Sequence, residues 1–399
     1  MSAPAPRRRS RSDERPGSCW AVIAGGGTAG HVLPGISVAQ QIVDRGARRD
    51  AVHFVGSSRG VETRLVPEAG FGLTALPGRG LQRRLALSNL AAATGLVRAF
   101  AQALVVLRRR RPAVVLGLGG YASAACGAAA ALLRVPLVIT EQNAVPGLAN
   151  RLLSRFAAGA ATAFEASDLR QATWTGNPVW AEVLAADRAS GWGAARAALG
   201  VDPERRLVAV FGGSLGSRRI NEAVTGATEL WRARDDLHIR HIAGRRDYDA
   251  LAGRITSAHA STLGYDLVDY EEDMATVYAA ADLVVSRSGA TTVAELAAAG
   301  VPAVLVPLPG APGDHQTANA RRLVEAGGAV LVSDAELDGA RLAAEVDALL
   351  GDPDRLKAME GSAAALARPD AASAVVDLIE QCALRPPPIR SASGQEAGS

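Results

Sequence analysis

Short apolar runs alternate with longer segments of helical periodicity along most of the chain. Residues 19–24 (CWAVIA), 51–55, 73–76, 113–117 (AVVLG) and 136–140 (PLVIT) are apolar and end in glycine or polar turns, the pattern of buried parallel strands. Helical spacing predicts helices from near Pro34 to about Arg45, over 61–69 and over 88–110. The pattern then restarts. LVAVFGGSLGSRRIN repeats the strand, glycine turn and helix of WAVIAGGGTAGH, followed by strands at 237–244, 282–286 and 302–306. Further helices are expected over 292–299, from near Gln316, and over 336–350, 353–367 and 371–383. The reading is an α/β chain of two Rossmann-like domains facing one cleft. TGNPVW (175–180) is the hinge, because Asn-Pro breaks regular structure there. The predicted divisions are a basic tail (1–17), a first domain (18–178), a second (179–368), a helix that returns to the first (369–385) and a tail (386–399).

Composition narrows the chemistry. Lys357 is the sole lysine among 43 basic residues, so no lysine stands in the glycine loops and phosphate must be met by backbone N–H, hydroxyl or arginine. The net charge is only +3, with an RRRSRS run near the N-terminus, which argues against a nucleic-acid surface. Cys19, Cys126 and Cys382 lack metal-type spacing and read as reduced thiols. Between Arg111 and Arg134 the uncharged run is broken by GLGGY, so it reads as strand, loop and helix, not a membrane span. The apolar run after the first arginines is too short for a secretion leader.

The stretch 286–320, SRSGATTVAELAAAGVPAVLVPLPGAPGDHQTANA, carries the densest chemistry. Ser288, Gly289, Ala290, Thr291 and Thr292 open a helix at the carboxyl edge of a strand, where free N–H groups favour a diphosphate. Glu295 lies one turn on and offers a carboxylate to a ribose diol. Asp314, His315, Gln316 and Asn319 supply sugar-type donors and acceptors. Two further glycine turns stand in the first half, Gly25–Gly30 and Gly117–Gly120. His31 follows the first and is expected to project into the cleft as a general base or a phosphate ligand. GGGTAG also satisfies GxGxxG. The acidic residue that NAD would want is missing, and an NADP-dependent oxidoreductase using Arg59 is a competing reading.

From about Ala21 to Val332 these motifs resemble the MurG type of glycosyltransferase in type and order. The resemblance implies the GT-B architecture and transfer of N-acetylglucosamine from UDP-N-acetylglucosamine to lipid I, giving lipid II with inversion and no cofactor or metal. It places Thr28, Gly30, Asn143, Ser214, Gly289, Ala290, Thr291, Glu295, Gln316 and Asn319 on the donor, with residues 270–274 beside the nucleobase. It places Gly26, Gly27, Gly119, Gly120 and Tyr121 on the acceptor. Leu81, Leu85 and Leu87 among Arg79, Arg83 and Arg84 suit anionic lipid at the cytoplasmic face of the plasma membrane, or fold inward as an ordinary loop. Three positions depart from the family pattern: Thr140, Trp180 and Leu215 stand where His, Arg and Gln are usual. A related enzyme with another lipid or small-molecule acceptor is the alternative they leave open.

Overall fold

The computed structural model describes residues 17–77, 88–186, 188–213, 216–255 and 262–389. The first domain runs β1 (Ala21–Ala24), α1 (Ala29–Asp44), β2 (Val52–Ser57), α2 (Glu62–Glu68), β3 (Gly72–Leu76) and α3 (Ser88–Arg110). It continues with β4 (Val114–Gly117), α4 (Gly120–Leu133), β5 (Leu137–Glu141), α5 (Leu148–Leu153), β6 (Gly159–Thr162) and β7 (Ala172–Trp174). The second opens with α6 (Ala181–Ala185), α7 (Arg188–Leu199), β8 (Arg206–Phe211), α8 (Arg218–Leu230), β9 (Leu237–Ile242), α9 (Tyr248–Ile255) and β10 (Gly264–Val268). There follow α10 (Met274–Ala280), β11 (Leu283–Ser286), α11 (Ala290–Ala299), β12 (Ala303–Leu305), α12 (His315–Glu325), β13 (Ala329–Leu331), α13 (Gly339–Leu350) and α14 (Pro353–Ala364). Last comes α15 (Ala371–Cys382).

Both sheets are parallel, in the orders β3-β2-β1-β4-β5-β6-β7 and β10-β9-β8-β11-β12-β13. Strand order reverses between β1 and β4 and again between β8 and β11. Such switch points leave crevices beyond the carboxyl ends of the strands. The four loops at these points are the glycine and serine motifs, so topology alone brings them to the rims.

Alternation along the strands builds a core on each sheet face. In the first domain Ile23, Leu116 and Val138 face α1 and α15, while Val22, Val115 and Ile139 face α3 and α4. In the second, Val208, Val210 and Val285 pack with α8 and α13, and Ala209, Val284 and Leu305 with α10 and α11. After α14 the chain returns to the first domain. There Arg45 pairs with Asp377 at 2.7 Å and the Trp20 indole donates to the Arg385 carbonyl at 2.7 Å. The stretch expected to be a free tail is held as far as Ile389, since Arg48 N–H donates to the Pro388 carbonyl and Ile389 bridges Ala47.

Helix starts differ from the sequence reading. α1 begins at Ala29, placing Pro34 inside it. A proline there withholds the N–H that would bond the carbonyl four residues back, that of Gly30. α11 starts at Ala290, because Gly289 takes the extended N-cap conformation. α13 starts at Gly339, where the Asp338 side chain caps Arg341 N–H.

Candidate active site

The first glycine loop rests on a carboxylate that sequence reasoning missed. Glu62 is 1% exposed; its two oxygens accept from Gly27 N–H at 2.8 Å and Ser57 N–H at 2.6 Å. Only glycine fits above it: a Cβ at Gly26 would lie 2.1 Å from a Glu62 oxygen, and Gly26 and Gly27 both have positive φ. Glu62 occupies the Gly27 N–H that the acceptor assignment would use. Its only sequence signal is the glycines around it, at 56, 60, 26 and 27.

His31 stands half-buried at the start of α1, its Nδ1 3.0 Å from the Thr28 hydroxyl. Its Nε2 edge lies beside Gly119, where a Cβ would come within 3.3 Å. Burial holds the imidazole below its ordinary pKa; Glu141 and Glu62 pull the other way, and His315 adds to the lowering. A neutral ring at physiological pH is the form that accepts a proton. Gly119 and Gly120, both at positive φ, open α4 without a side-chain cap. The Tyr121 hydroxyl is shared between the carbonyls of Pro77 and Gly95, at 2.9 and 2.6 Å. It fastens β3 to α3, so the acceptor role expected for it has no open hydroxyl here.

Glu141, at the end of β5, is 4% exposed. It accepts from the N–H groups of Asn143 and Gly147 and from the side-chain amides of Asn143 and Asn150, at 2.9–3.3 Å. This web fixes the loop that carries Asn143. Thr140, where the family favours histidine, accepts from the Gln142 amide at 3.0 Å within the same buried cluster.

In the second domain, α11 opens with no side-chain cap, and its first internal bond is Val293 N–H to the Gly289 carbonyl. The N–H groups of Ala290, Thr291 and Thr292 therefore point past the helix end. α8, α10, α13 and α14, by contrast, are each capped by a Ser or Asp side chain. Glu295 is half-buried; its Oε2 accepts from the Tyr278 hydroxyl at 2.9 Å, and burial raises its carboxyl to about 7. Gln316 accepts from Leu308 N–H at 2.9 Å through Oε1. Arg287, also missed, is 8% exposed and pairs with Asp334 at 2.6 Å while donating to Ser217 at 2.7 Å. Ser214 and Leu215 lie outside the described residues, as does the Arg- and Leu-rich stretch 78–87.

The domains touch across the cleft at these motifs. The Thr291 hydroxyl donates to the Gly30 carbonyl at 3.2 Å, the acceptor that Pro34 set free. Asn319, fully buried, accepts from Ala144 N–H at 2.8 Å and donates to Asn143 Oδ1 and to the Ser288 carbonyl, both at 3.2 Å. Every polar atom of Asn319 is engaged by protein, so it brackets the domains and offers a sugar no open group. Asn143 is drawn into the same bracket. A proton acceptor, an uncapped helix end and, one turn further along that helix, a carboxylate thus stand where the two nucleotide-type domains touch. That is the equipment of a glycosyltransferase working on a diphosphate-activated sugar.

The chain belongs to glycosyltransferase family 28: residues 21–162 match the family's N-terminal domain and residues 207–375 its C-terminal domain. A relative from Desulforudis audaxviator, named UDP-N-acetylglucosamine–N-acetylmuramyl-(pentapeptide) pyrophosphoryl-undecaprenol N-acetylglucosamine transferase, is 42% identical over 91% of this chain and 98% of its own. One of the same name from Alkalilimnicola ehrlichii is 45% identical over 89% and 96%. The crystal structure of Acinetobacter baumannii MurG superposes with a TM-score of 0.71 at 31% identity, covering 91% of this chain and 99% of that one. The family membership replaces the NADP-dependent oxidoreductase reading of GGGTAG.

Proposed function

We propose that this protein transfers N-acetylglucosamine from UDP-N-acetylglucosamine to the N-acetylmuramoyl 4-hydroxyl of lipid I, forming lipid II for peptidoglycan. The observation that carries the reading is the Thr291–Gly30 contact, which sets the neutral His31 one residue from the uncapped N-terminus of α11. The relatives' shared name supports the substrates.

In the mechanism we infer, the diphosphate of the donor lies at the N–H groups of Gly289, Ala290 and Thr291. Negative charge that develops on UDP as the glycosidic bond breaks is met there by fixed dipoles. Ser214, in the loop after β8, serves the same diphosphate. Glu295 receives the ribose hydroxyls and Gln316 and Asn143 the sugar, with Thr28 and Gly30 closing over it. His31 takes the proton from the attacking hydroxyl, and direct displacement gives a β-linked disaccharide from the α-linked donor. The acceptor diphosphate rests at the openings of α1 and α4, by Gly26, Gly119 and Gly120. Asn319, Glu62 and Tyr121 position these loops. The division of labour assigns the acceptor and the membrane to residues 18–178 and the UDP-sugar to 179–368.

Among the described residues no helix is long and apolar enough to cross a membrane. Exposed Leu148, Leu152 and Phe156 on and just after α5, interleaved with Arg151 and Arg155, support peripheral binding to anionic lipid at the cytoplasmic face. An acceptor panel tests the assignment: a short-chain lipid I analogue should yield a β-linked disaccharide. Transfer to a diacylglycerol or a small-molecule aglycone, with none to the analogue, would move the enzyme to the alternative named above.

A further inference from the structure

Behind α11, a second pocket of about 50 Å³ lies where the domains hinge. It faces Ala290, Val293, Ala294 and Ala297, the helix face roughly opposite Glu295 at 3.6 residues per turn. It therefore lies on the other side of α11 from Glu295, and shares with the proposed donor cleft only Ala290 at the helix end. Trp174 at the end of β7, Asn177 in the hinge, Arg322 on α12 and Arg368 at the crossover to α15 also line it.

Two observations mark it as built for a ligand. The first is charge. The guanidinium groups of Arg368 and Arg322 lie 3.5 and 4.7 Å from the centroid of the same Trp174 ring. Both are half-buried, and among the described residues neither has a carboxylate or carbonyl partner. Burial and the neighbouring Arg368 lower the Arg322 pKa, against a smaller pull from the exposed Glu165. Two like charges are thus held against one ring with only the exposed Glu165 to offset them, and arginine does not relieve this by losing its proton. The second is Asn177. It is 5% exposed, yet neither its amide nitrogen nor its oxygen has a hydrogen-bond partner. Native structures rarely leave both ends of a buried amide unmet unless something else occupies the site. The other walls, among them Val293 and Leu366, are apolar.

We propose that this hinge pocket binds a small oxyanion of the phosphate class, held by Arg322, Arg368 and the Asn177 amide. The planar guanidinium groups suit bidentate contact with such an anion, and the pocket has room for one. Its three polar contacts come from the second domain, the hinge and the crossover to the first. Occupancy therefore bridges the domains and favours the closed cleft.

The test titrates inorganic phosphate into the full chain by calorimetry, at fixed ionic strength and with UDP saturating the donor cleft. One phosphate per chain is expected, with binding at least about tenfold weaker in the Arg322→Gln/Arg368→Gln double variant. Asn177→Asp puts a carboxylate between the two cations. It should abolish phosphate binding and raise Tm in phosphate-free buffer, and it decides the matter should the double variant fail to fold. Absent binding, phosphate displaced by UDP, or unchanged binding in Asn177→Asp would each overturn the proposal.

Discussion

Glu295→Gln should erase a pH dependence of donor binding that the wild-type protein shows between about pH 8 and about pH 6. Burial raises the Glu295 carboxyl from 4.5 to about 7, and the Tyr278 hydrogen bond offsets part of that rise. Between those values the folded chain holds a proton that the unfolded chain has lost. The stability from this group is thus fully present below about pH 4.5 and is lost as pH rises through about 7, roughly 3 kcal/mol at about 1.4 kcal/mol per unit. Donor binding runs the other way, because ribose hydroxyls donate to the ionised form. With a midpoint of about 7, about half the protein is ionised at pH 7 and about a tenth at pH 6. With the uncharged form binding about tenfold more weakly, UDP affinity should therefore weaken about threefold over that unit. Calorimetric titration of UDP at several pH values, in wild type and Glu295→Gln, reads this directly. The variant shares any titration of the ligand, so the difference between the two profiles isolates Glu295. It should bind more weakly at about pH 8, by about tenfold for a lost charge-assisted bond. A flat wild-type profile, or one the variant reproduces, would refute the reasoning.

His31→Ala should lower turnover about 10²- to 10⁴-fold while leaving UDP affinity nearly unchanged; a near-normal rate would remove the base role. Because burial lowers the His31 pKa, wild-type turnover at saturating substrates should persist below about pH 6.5 before it falls, which a rate–pH profile checks. Glu62→Gln turns an amide NH₂ toward a backbone N–H and should cost about 2–4 kcal/mol, read as a lowered Tm; a loss under about 0.5 kcal/mol would contradict the loop support. Asn319→Ala breaks three bonds between or beside the domains, and small-angle scattering should show a more open average shape. Unchanged scattering would show that Asn319 is not the bracket.

The strands and the two-domain repeat were legible because buried parallel strands leave unbroken apolar runs and their switch-point loops need glycine. Helix starts were less so. Pro34 reads locally as a beginning, and only the Thr291 hydroxyl from the other domain reveals why it is tolerated within α1. Spacing grouped Asn319 with Gln316 as a sugar contact, but it could not show that Asn319 is fully buried and bonded to the other domain. Glu62 and Arg287 were missed for a common reason. Their partners are distant in sequence, and a lone charged residue on a short helix or after a strand carries no period. Trp180, in the family's arginine position, packs against the cores of both domains with its indole N–H unpartnered.

The central claim is tested most directly by UDP release from UDP-N-acetylglucosamine, measured with and without a short-chain lipid I analogue. Release that depends on the analogue, with one disaccharide formed per UDP, is the predicted result. Donor binding with no analogue-dependent release would contradict it.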